Sequence, residues 1–129
     1  MADRPTVLVA DDNPQNRRLF SLFLKRAFDV VEVASAQEVL DAIEVQTFDA
    51  VLLDLNYQGG MDGLALIRHL RQDPRWKDLP AIALTAHSSS EDRHRCLEAG
   101  FDDFVSKPVF RDPLLEAVGA LLQRRRLAA

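Results

Sequence analysis

The chain has 129 residues, of which 47% are hydrophobic and 28% are charged. This is the size and balance of one ordinary globular domain, which excludes a fibrous repeat and an intrinsically disordered chain. The net charge of −4 argues against a broad basic surface for nucleic acid, and no apolar run approaches the roughly 20 residues of a membrane span. We therefore expect a cytoplasmic protein with no direct nucleic acid partner and no membrane partner. The single cysteine, Cys96, agrees with a reducing compartment.

The first predicted elements are a short strand and an amphipathic helix. The apolar run Val7-Leu8-Val9-Ala10 predicts a strand that enters the acidic stretch Asp11-Asp12-Asn13-Pro14, where a capping residue and a proline suit a helix start. The spacing of apolar residues predicts a buried helical stripe made of Phe20, Phe23, Leu24 and Ala27. Arg17 and the other basic residues of this helix are expected to face solvent, and Leu22 points away from the stripe.

Four further pairs of strand and helix follow in the same alternation. The predicted strands lie at residues 30–33, 49–54, 79–85 and 104–106. The helices after them begin near Ala36, Gly63, Ser90 and Asp112, and the fourth ends at Gly100. Because every connection is short, the alternation predicts an α/β fold with a parallel sheet covered by helices on both faces. The fourth helix is the most polar, so we expect it to pack more weakly than the others.

Polar side chains stand where the predicted strands end. They are Asp11 and Asp12 after the first strand, Asp54 at the third, Thr85 at the fourth and Lys107 after the fifth. Because the carboxyl ends of parallel strands meet at one edge of a sheet, we expect these residues to share a crevice. Clustered carboxylates repel one another unless a cation neutralises them, and oxygen ligands without His or Cys favour Mg²⁺. A hydroxyl and an ammonium beside that ion suit a phosphoryl group, so the pattern predicts phosphoryl transfer to Asp54.

The same residues carry a resemblance that covers essentially the whole chain. Asp11-Asp12, Asp54, Thr85-Ala86 and Lys107-Pro108 match in order and approximate spacing the acidic pair, phosphoacceptor, switch hydroxyl and lysine of the receiver domain of two-component response regulators. Residues 98–108 resemble the fifth-strand signature of these CheY-like domains. The resemblance implies a flavodoxin-like sheet with strand order 2-1-3-4-5. It also leads us to expect that residues 1–129 form a single receiver domain with no output domain in this chain.

The resemblance implies a set of metal ligands. Asp12 and Asp54 would bind Mg²⁺ directly, and the backbone carbonyl of Asn56 would join them. Asp11 would help through a water molecule. Lys107 would pair with the phosphoryl group.

The resemblance also implies a switch and its partners. Asp54 would take its phosphoryl group from a histidine kinase or a phosphotransfer protein. Thr85 would then turn toward that group, and Phe104, which stands at the position of the family's switch aromatic, would follow. An unknown downstream protein would recognise the new surface by direct contact. The protein would be no enzyme beyond catalysing its own phosphorylation and dephosphorylation.

Two features concern the surroundings of the phosphoacceptor. The loop after Asp54 has one more residue than the usual family pattern and lacks its proline, and Gly59-Gly60 predicts a less rigid backbone there. His87 follows Thr85 by two residues, at the expected mouth of the crevice. We predict that Asn56 and His87 tune the rate of dephosphorylation.

Two other functions are compatible with parts of this pattern. A Mg²⁺-dependent phosphohydrolase would also use Asp54 as nucleophile. Such an enzyme needs a second acid or base near the nucleophile, whereas the residue two positions after Asp54 is the amide Asn56. The other hypothesis is a receiver-like scaffold that is never phosphorylated, which the complete set of polar residues disfavours.

Overall fold

A computed structural model describes residues 4–56, 61–86 and 89–128, and of residues 125–128 it describes the backbone. Within these ranges strands and helices alternate along the chain. Their bounds are β1 (Thr6–Ala10), α1 (Pro14–Leu24), β2 (Asp29–Val33), α2 (Ala36–Val45), β3 (Ala50–Asp54), α3 (Gly63–Arg71), β4 (Ala81–Thr85), α4 (Ser90–Ala99), β5 (Asp103–Ser106) and α5 (Arg111–Ala128).

The strands form one parallel sheet with the order β2-β1-β3-β4-β5. This confirms the flavodoxin-like topology. Each residue of the central strands β3 and β4 is buried, because helices cover both of their faces and apolar residues fill both. In the register, Asp54 lies beside Leu84, so the carboxyl ends of β3 and β4 stop at the same level.

The helices divide between the two faces of the sheet. Alternate residues of the strands point to opposite faces, so Leu8 and Val51 pack under α2, α3 and α4, whereas Val7 and Leu52 pack under α1 and α5. Both apolar clusters are continuous along the sheet. No helix among the described residues has both the length and the apolar character that crossing a lipid bilayer requires.

The boundaries of the fourth helix follow the predicted signals. The hydroxyl of Ser89 accepts a hydrogen bond from the backbone N–H of Asp92 and caps α4 at its start. Gly100 ends the helix with a φ of 126°, a conformation that residues with a Cβ rarely adopt. The buried residues of α4 are Cys96 and Ala99, whose side chains are small, and this agrees with the prediction that α4 is the most polar helix.

Three predictions about α1 and α5 were wrong. Ala27 is exposed because α1 ends at Leu24, and the turn that follows places Phe28 in the core instead. Arg17 does not face solvent; its side chain is 20% exposed and contacts the acidic loop after β1. The last helix begins at Arg111, so Asp112 lies within its first turn and does not precede it.

Candidate functional site

A polar cleft of about 370 Å³ opens at the carboxyl edge of the sheet. The loops after β1, β3, β4 and β5 supply its walls, as the parallel topology requires. The described residues that line it are Asp11, Asp12, Asn13, Asn16, Asp54, Asn56, Ala86 and Lys107. The cleft therefore brings together the predicted metal ligands and the predicted lysine.

The carboxylates of Asp11, Asp12 and Asp54 form one cluster. Each of them offers an oxygen that lies within 4.8 Å of the other two. Asp11 and Asp54 are buried, with 0% and 4% of their surface exposed, and Asp12 is half-buried. Negative charges at such distances in a partly dry environment repel one another strongly.

The ammonium of Lys107 partly neutralises this cluster. Its Nζ lies 3.0 Å from Oδ2 of Asp11 and 3.2 Å from Oδ2 of Asp54, so it bridges two of the carboxylates. Burial disfavours the charged ammonium, but the hydrogen bond to Asp11 and the charges of both carboxylates outweigh it and raise the pKa of Lys107. The lysine is therefore held in its protonated form.

Asp54 remains incompletely compensated. Burial raises the pKa of the Asp54 carboxyl, and the charge of Asp11 adds to that effect. The backbone N–H of Asn56, which donates to Oδ1 at 3.2 Å, and the Lys107 ammonium oppose the rise without cancelling it. The fold thus holds a carboxylate whose ionised form would gain from an additional cation.

The close approach of α3 fixes the backbone around Asp54. The N–H of Gly63 donates to the carbonyl of Leu55 at 2.9 Å. A Cβ at position 63 would lie 2.4 Å from the carbonyl oxygen of Asp54, so only glycine fits there. The start of α3 therefore rests directly on the strand end that carries the central carboxylate.

Thr85 and Phe104 lie outside the cleft. Thr85 is fully buried at the end of β4, its carbonyl accepts the N–H of Lys107 at 2.7 Å, and the neighbouring Ala86 lines the cleft instead. Phe104 is half-buried on β5, with the guanidinium carbon of Arg93 5.8 Å from the centre of its ring. Thr85 therefore adjoins the cleft through its backbone, and Phe104 lies on β5 near Arg93 of α4.

Some predicted features lie outside the described residues. They are His87 and the part of the glycine-rich loop that contains Gly59-Gly60. Asn56 is described, and it is an exposed residue at the rim of the cleft.

Sequence reasoning missed the asparagines of the first helix as members of the site. The Asn13 side chain accepts hydrogen bonds from the N–H groups of Gln15 and Asn16 and caps α1. The Asn16 amide reaches Oδ2 of Asp11 at 3.4 Å. A signal was present, because Asn16 lies one helical turn after the cap and so faces the same loop.

The donor set of this cleft fits Mg²⁺. Three carboxylates and the exposed backbone after β3 supply hard oxygen ligands. The lining residues that the structure describes include no histidine or cysteine, which a transition metal would favour. Asp11, Asp12, Asp54 and Asn56 are the residues that could hold the ion.

Several known proteins are similar to this chain in sequence. The chain is 40% identical over 109 residues to a 14.6 kDa protein from the sodA1 3′ region of Leptolyngbya boryana, covering 84% of this chain and 81% of that protein. It is 31% identical to the phosphate regulon transcriptional regulatory protein PhoB of Escherichia coli, covering 92% of this chain but spanning only 52% of PhoB.

A solved structure shows the same likeness. The receiver domain of the sensor histidine kinase PA1611 from Pseudomonas aeruginosa, solved with a magnesium ion in its active site cleft, matches with a TM-score of 0.84 and 30% identity, over 94% of this chain and 99% of that one. The family model of the response regulator receiver domain matches residues 7–119. The chain therefore belongs to the receiver domain family of two-component signalling proteins.

Proposed function

We propose that this protein is a phosphoaspartate switch that accepts a phosphoryl group on Asp54 in the presence of Mg²⁺. One observation carries the proposal: three carboxylates and one ammonium meet in an open cleft at the carboxyl edge of the sheet. A histidine kinase or a phosphotransfer protein is the proposed donor, in keeping with relatives that are parts of kinases and regulators.

Asp54 is the proposed nucleophile because of its position and its surroundings. Asp11 is engaged by the N–H of Asn13, the amide of Asn16 and the ammonium of Lys107. Asp54 ends a buried central strand, and its Oδ2 lies 3.2 Å from Lys107. An oxygen of Asp54 attacks the phosphorus, the bond from phosphorus to the donor's imidazole nitrogen breaks, and that nitrogen keeps the electron pair and takes a proton.

Bound Mg²⁺ would neutralise the charge that builds up on the phosphoryl oxygens. Asp12, Asp54 and the backbone carbonyl of Asn56 would hold the ion, with Asp11 acting through water. The donor set supports this assignment, as does the magnesium ion in the PA1611 receiver domain. Lys107 would pair with the transferred group, a role supported by its position between Asp11 and Asp54.

We propose Thr85 and Phe104 as the switch that carries the signal away from the cleft. Thr85 is joined to Lys107 through its backbone carbonyl, and Phe104 lies on β5 beside the residues that precede Thr85 on β4. A rotation of the Thr85 hydroxyl toward a phosphoryl group would vacate space behind it for Phe104. A downstream protein would then recognise the changed surface of α4 and β5.

Intact-mass analysis after incubation with acetyl phosphate tests the proposal. The parent protein should gain the mass of one phosphoryl group with Mg²⁺ and not without it, and peptide mapping should place that group on Asp54. Asp54→Ala should gain none, whereas Asp41→Ala, which changes an exposed carboxylate on α2, should behave as the parent does. Undiminished labelling of Asp54→Ala would refute the proposal, and repeated turnover of phosphomonoesters would favour a phosphohydrolase.

A further inference from the structure

Arg17 contacts the acidic loop from the first helix. Its Nη1 donates a hydrogen bond of 2.7 Å to the backbone carbonyl of Asp11, and its side chain is 20% exposed. That carbonyl belongs to the peptide group that joins Asp11 to Asp12. The hydrogen bond restrains the two backbone dihedrals on either side of this peptide group, ψ of Asp11 and φ of Asp12, which set where Asp12 lies relative to Asp11.

The other contacts of Asp11 explain why this hydrogen bond matters. The N–H of Asp11 donates to the carbonyl of Val33 on β2 at 3.2 Å, and its Oδ1 accepts the N–H of Asn13 at 2.9 Å. These contacts hold Asp11 itself. The hydrogen bond from Arg17 adds a contact at the carbonyl of Asp11, on the side of the residue that leads to Asp12.

A second contact orients the guanidinium. Nε of Arg17 lies 4.0 Å from Oε1 of Glu32, a residue of the edge strand β2. The hydroxyl of Ser21, one turn further along α1, donates to Oε2 of the same glutamate at 2.8 Å. Ser21 on the helix therefore holds Glu32 of the edge strand near the guanidinium of Arg17.

We propose that Arg17 is a positioning residue of the metal site, which sets the orientation of the Asp11–Asp12 peptide group. The inference rests on the proposed function, because it concerns the same cleft. A cation near a site for Mg²⁺ has two opposite effects. Its charge alone weakens binding of the ion, whereas its hydrogen bond to Asp11 strengthens binding by holding the ligands in place. Whether the affinity for Mg²⁺ falls or rises when Arg17 is replaced therefore shows which of the two effects dominates.

Calorimetric titration of the full chain with MgCl₂ measures this change. Arg17→Met should lower the affinity for Mg²⁺ about 10-fold, the low end of the range for residues that support metal ligands. Arg18→Met removes the same charge from an exposed neighbour and should leave the affinity unchanged or raise it slightly. If Arg17→Met binds Mg²⁺ as tightly as Arg18→Met, the proposal is wrong.

Arg17→Lys keeps the positive charge and should disturb the fold less than Arg17→Met, so it gives a second test of the proposal. One ammonium cannot reach both the Asp11 carbonyl and Glu32 as the planar guanidinium does, so its affinity should lie between those of the parent and Arg17→Met. An affinity equal to the parent's would also overturn the proposal. A parent that binds no Mg²⁺ would instead overturn the proposed function itself, so the two failures are distinguishable.

Discussion

Each of the two edges of the sheet holds partly buried charged side chains, and these charges are compensated to different degrees. At the carboxyl edge lies the carboxylate cluster of Asp11, Asp12 and Asp54, with the ammonium of Lys107 beside it. At the amino edge lies the arginine clamp, in which Arg71 contacts residues of the two loops that precede β4 and β5. Both groups are partly desolvated, but three carboxylates meet one ammonium in the first group, whereas one guanidinium pairs with one carboxylate in the second.

The geometry of the clamp shows this compensation. Nε of Arg71 donates to the carbonyl of Gly100 at 2.9 Å, and Nη1 donates to the carbonyl of Trp76 at 2.8 Å. Nη2 lies 3.3 Å from Oδ2 of Asp102, which also accepts the N–H of Ala81 at 2.8 Å. Burial lowers the pKa of Arg71, and the charges of Asp102 and Asp78 oppose that effect.

The carboxylate cluster lacks such balance, because three carboxylates face one ammonium. Removal of one partner from a matched buried pair costs stability, whereas a surplus of one sign costs stability until a ligand neutralises it. The comparison teaches that the amino edge is built for stability and the carboxyl edge for binding. Substitutions in the two groups should therefore have different effects on metal affinity and on stability.

The largest effect should come from Asp12→Ala. Loss of this proposed direct ligand should lower the affinity for Mg²⁺ by at least about 100-fold, the upper limit found for supporting residues. Calorimetry should measure it, with exposed Asp41→Ala as the control. Trp76 is unsuited as a fluorescent reporter of the metal, because it packs against Arg75 at the opposite edge. An unchanged affinity would show that Asp12 is no ligand.

Arg71→Met should lower the free energy of unfolding by about 2–3 kcal/mol, somewhat less than the loss of a fully buried partner. The reason is that Asp102 and two carbonyls would lose their donor, while partial exposure lets water replace some of the contacts. Urea unfolding would measure the change, and Arg68→Met, on the exposed face of α3, is the control. Affinity for Mg²⁺ should stay unchanged, and a loss of affinity would contradict the separation of the two edges.

Asp54→Asn should stabilise the protein when Mg²⁺ is absent. A raised pKa means that the fold disfavours the ionised carboxyl, so this penalty is present above the folded-state pKa of Asp54 and disappears as the pH falls below its unfolded value. The advantage of Asp54→Asn in urea unfolding should therefore be largest near neutral pH and shrink on acidification.

Saturating Mg²⁺ should reverse the order of stability. At 100 times its dissociation constant, a ligand that binds only the folded state stabilises it by about 2.7 kcal/mol. The parent should gain this amount and Asp54→Asn much less of it. An Asp54→Asn protein that is less stable than the parent without the ion would show that Lys107 compensates the cluster fully.

The sequence predicted the sheet and most of the carboxylate cluster, because both follow from local patterns. Uniformly apolar runs indicate buried strands, and parallel strands bring their carboxyl ends together. The position of Asp54 beside Lys107 therefore required only the order of elements. The buried stripe of α1 failed at Ala27, because apolar spacing cannot show that the helix ends one turn earlier and that Phe28 fills the core.

The arginine contacts could not be predicted in the same way. Arg17 and Arg71 resemble the solvent-facing basic residues around them, and their partners lie in other elements. A long side chain can lie along the surface and direct its charge inward, which periodicity does not reveal. The contacts of such residues depend on how helices pack against loops, which only the tertiary structure shows.

The smallest expected effect concerns α4, which lies between the two edges. Its first turn follows β4 at the carboxyl edge, whereas its last residue precedes Gly100, whose carbonyl is held by Arg71. A Cβ at position 100 would lie 2.7 Å from Cγ of Arg71, which shows how closely the clamp packs there. Because α4 has few buried side chains, we expect its first turn to move when the carboxylate cluster binds a phosphoryl mimic. Its last turn should stay in place.

Hydrogen exchange with beryllofluoride as phosphoryl mimic tests this gradient. The amides in the first half of Ser90–Ala99 and in β5 should change protection by about 5-fold or more, the low end of typical coupling between sites, while Thr6–Ala10 should not change. Thr85→Ala should still bind the mimic but lose the response, because Thr85 is the residue that we propose as the carrier of the coupling. Arg71→Met should extend the response to the end of α4, since the clamp that holds Gly100 is then lost. A response that is uniform along α4 in the parent would contradict the idea that the arginine clamp anchors the end of α4.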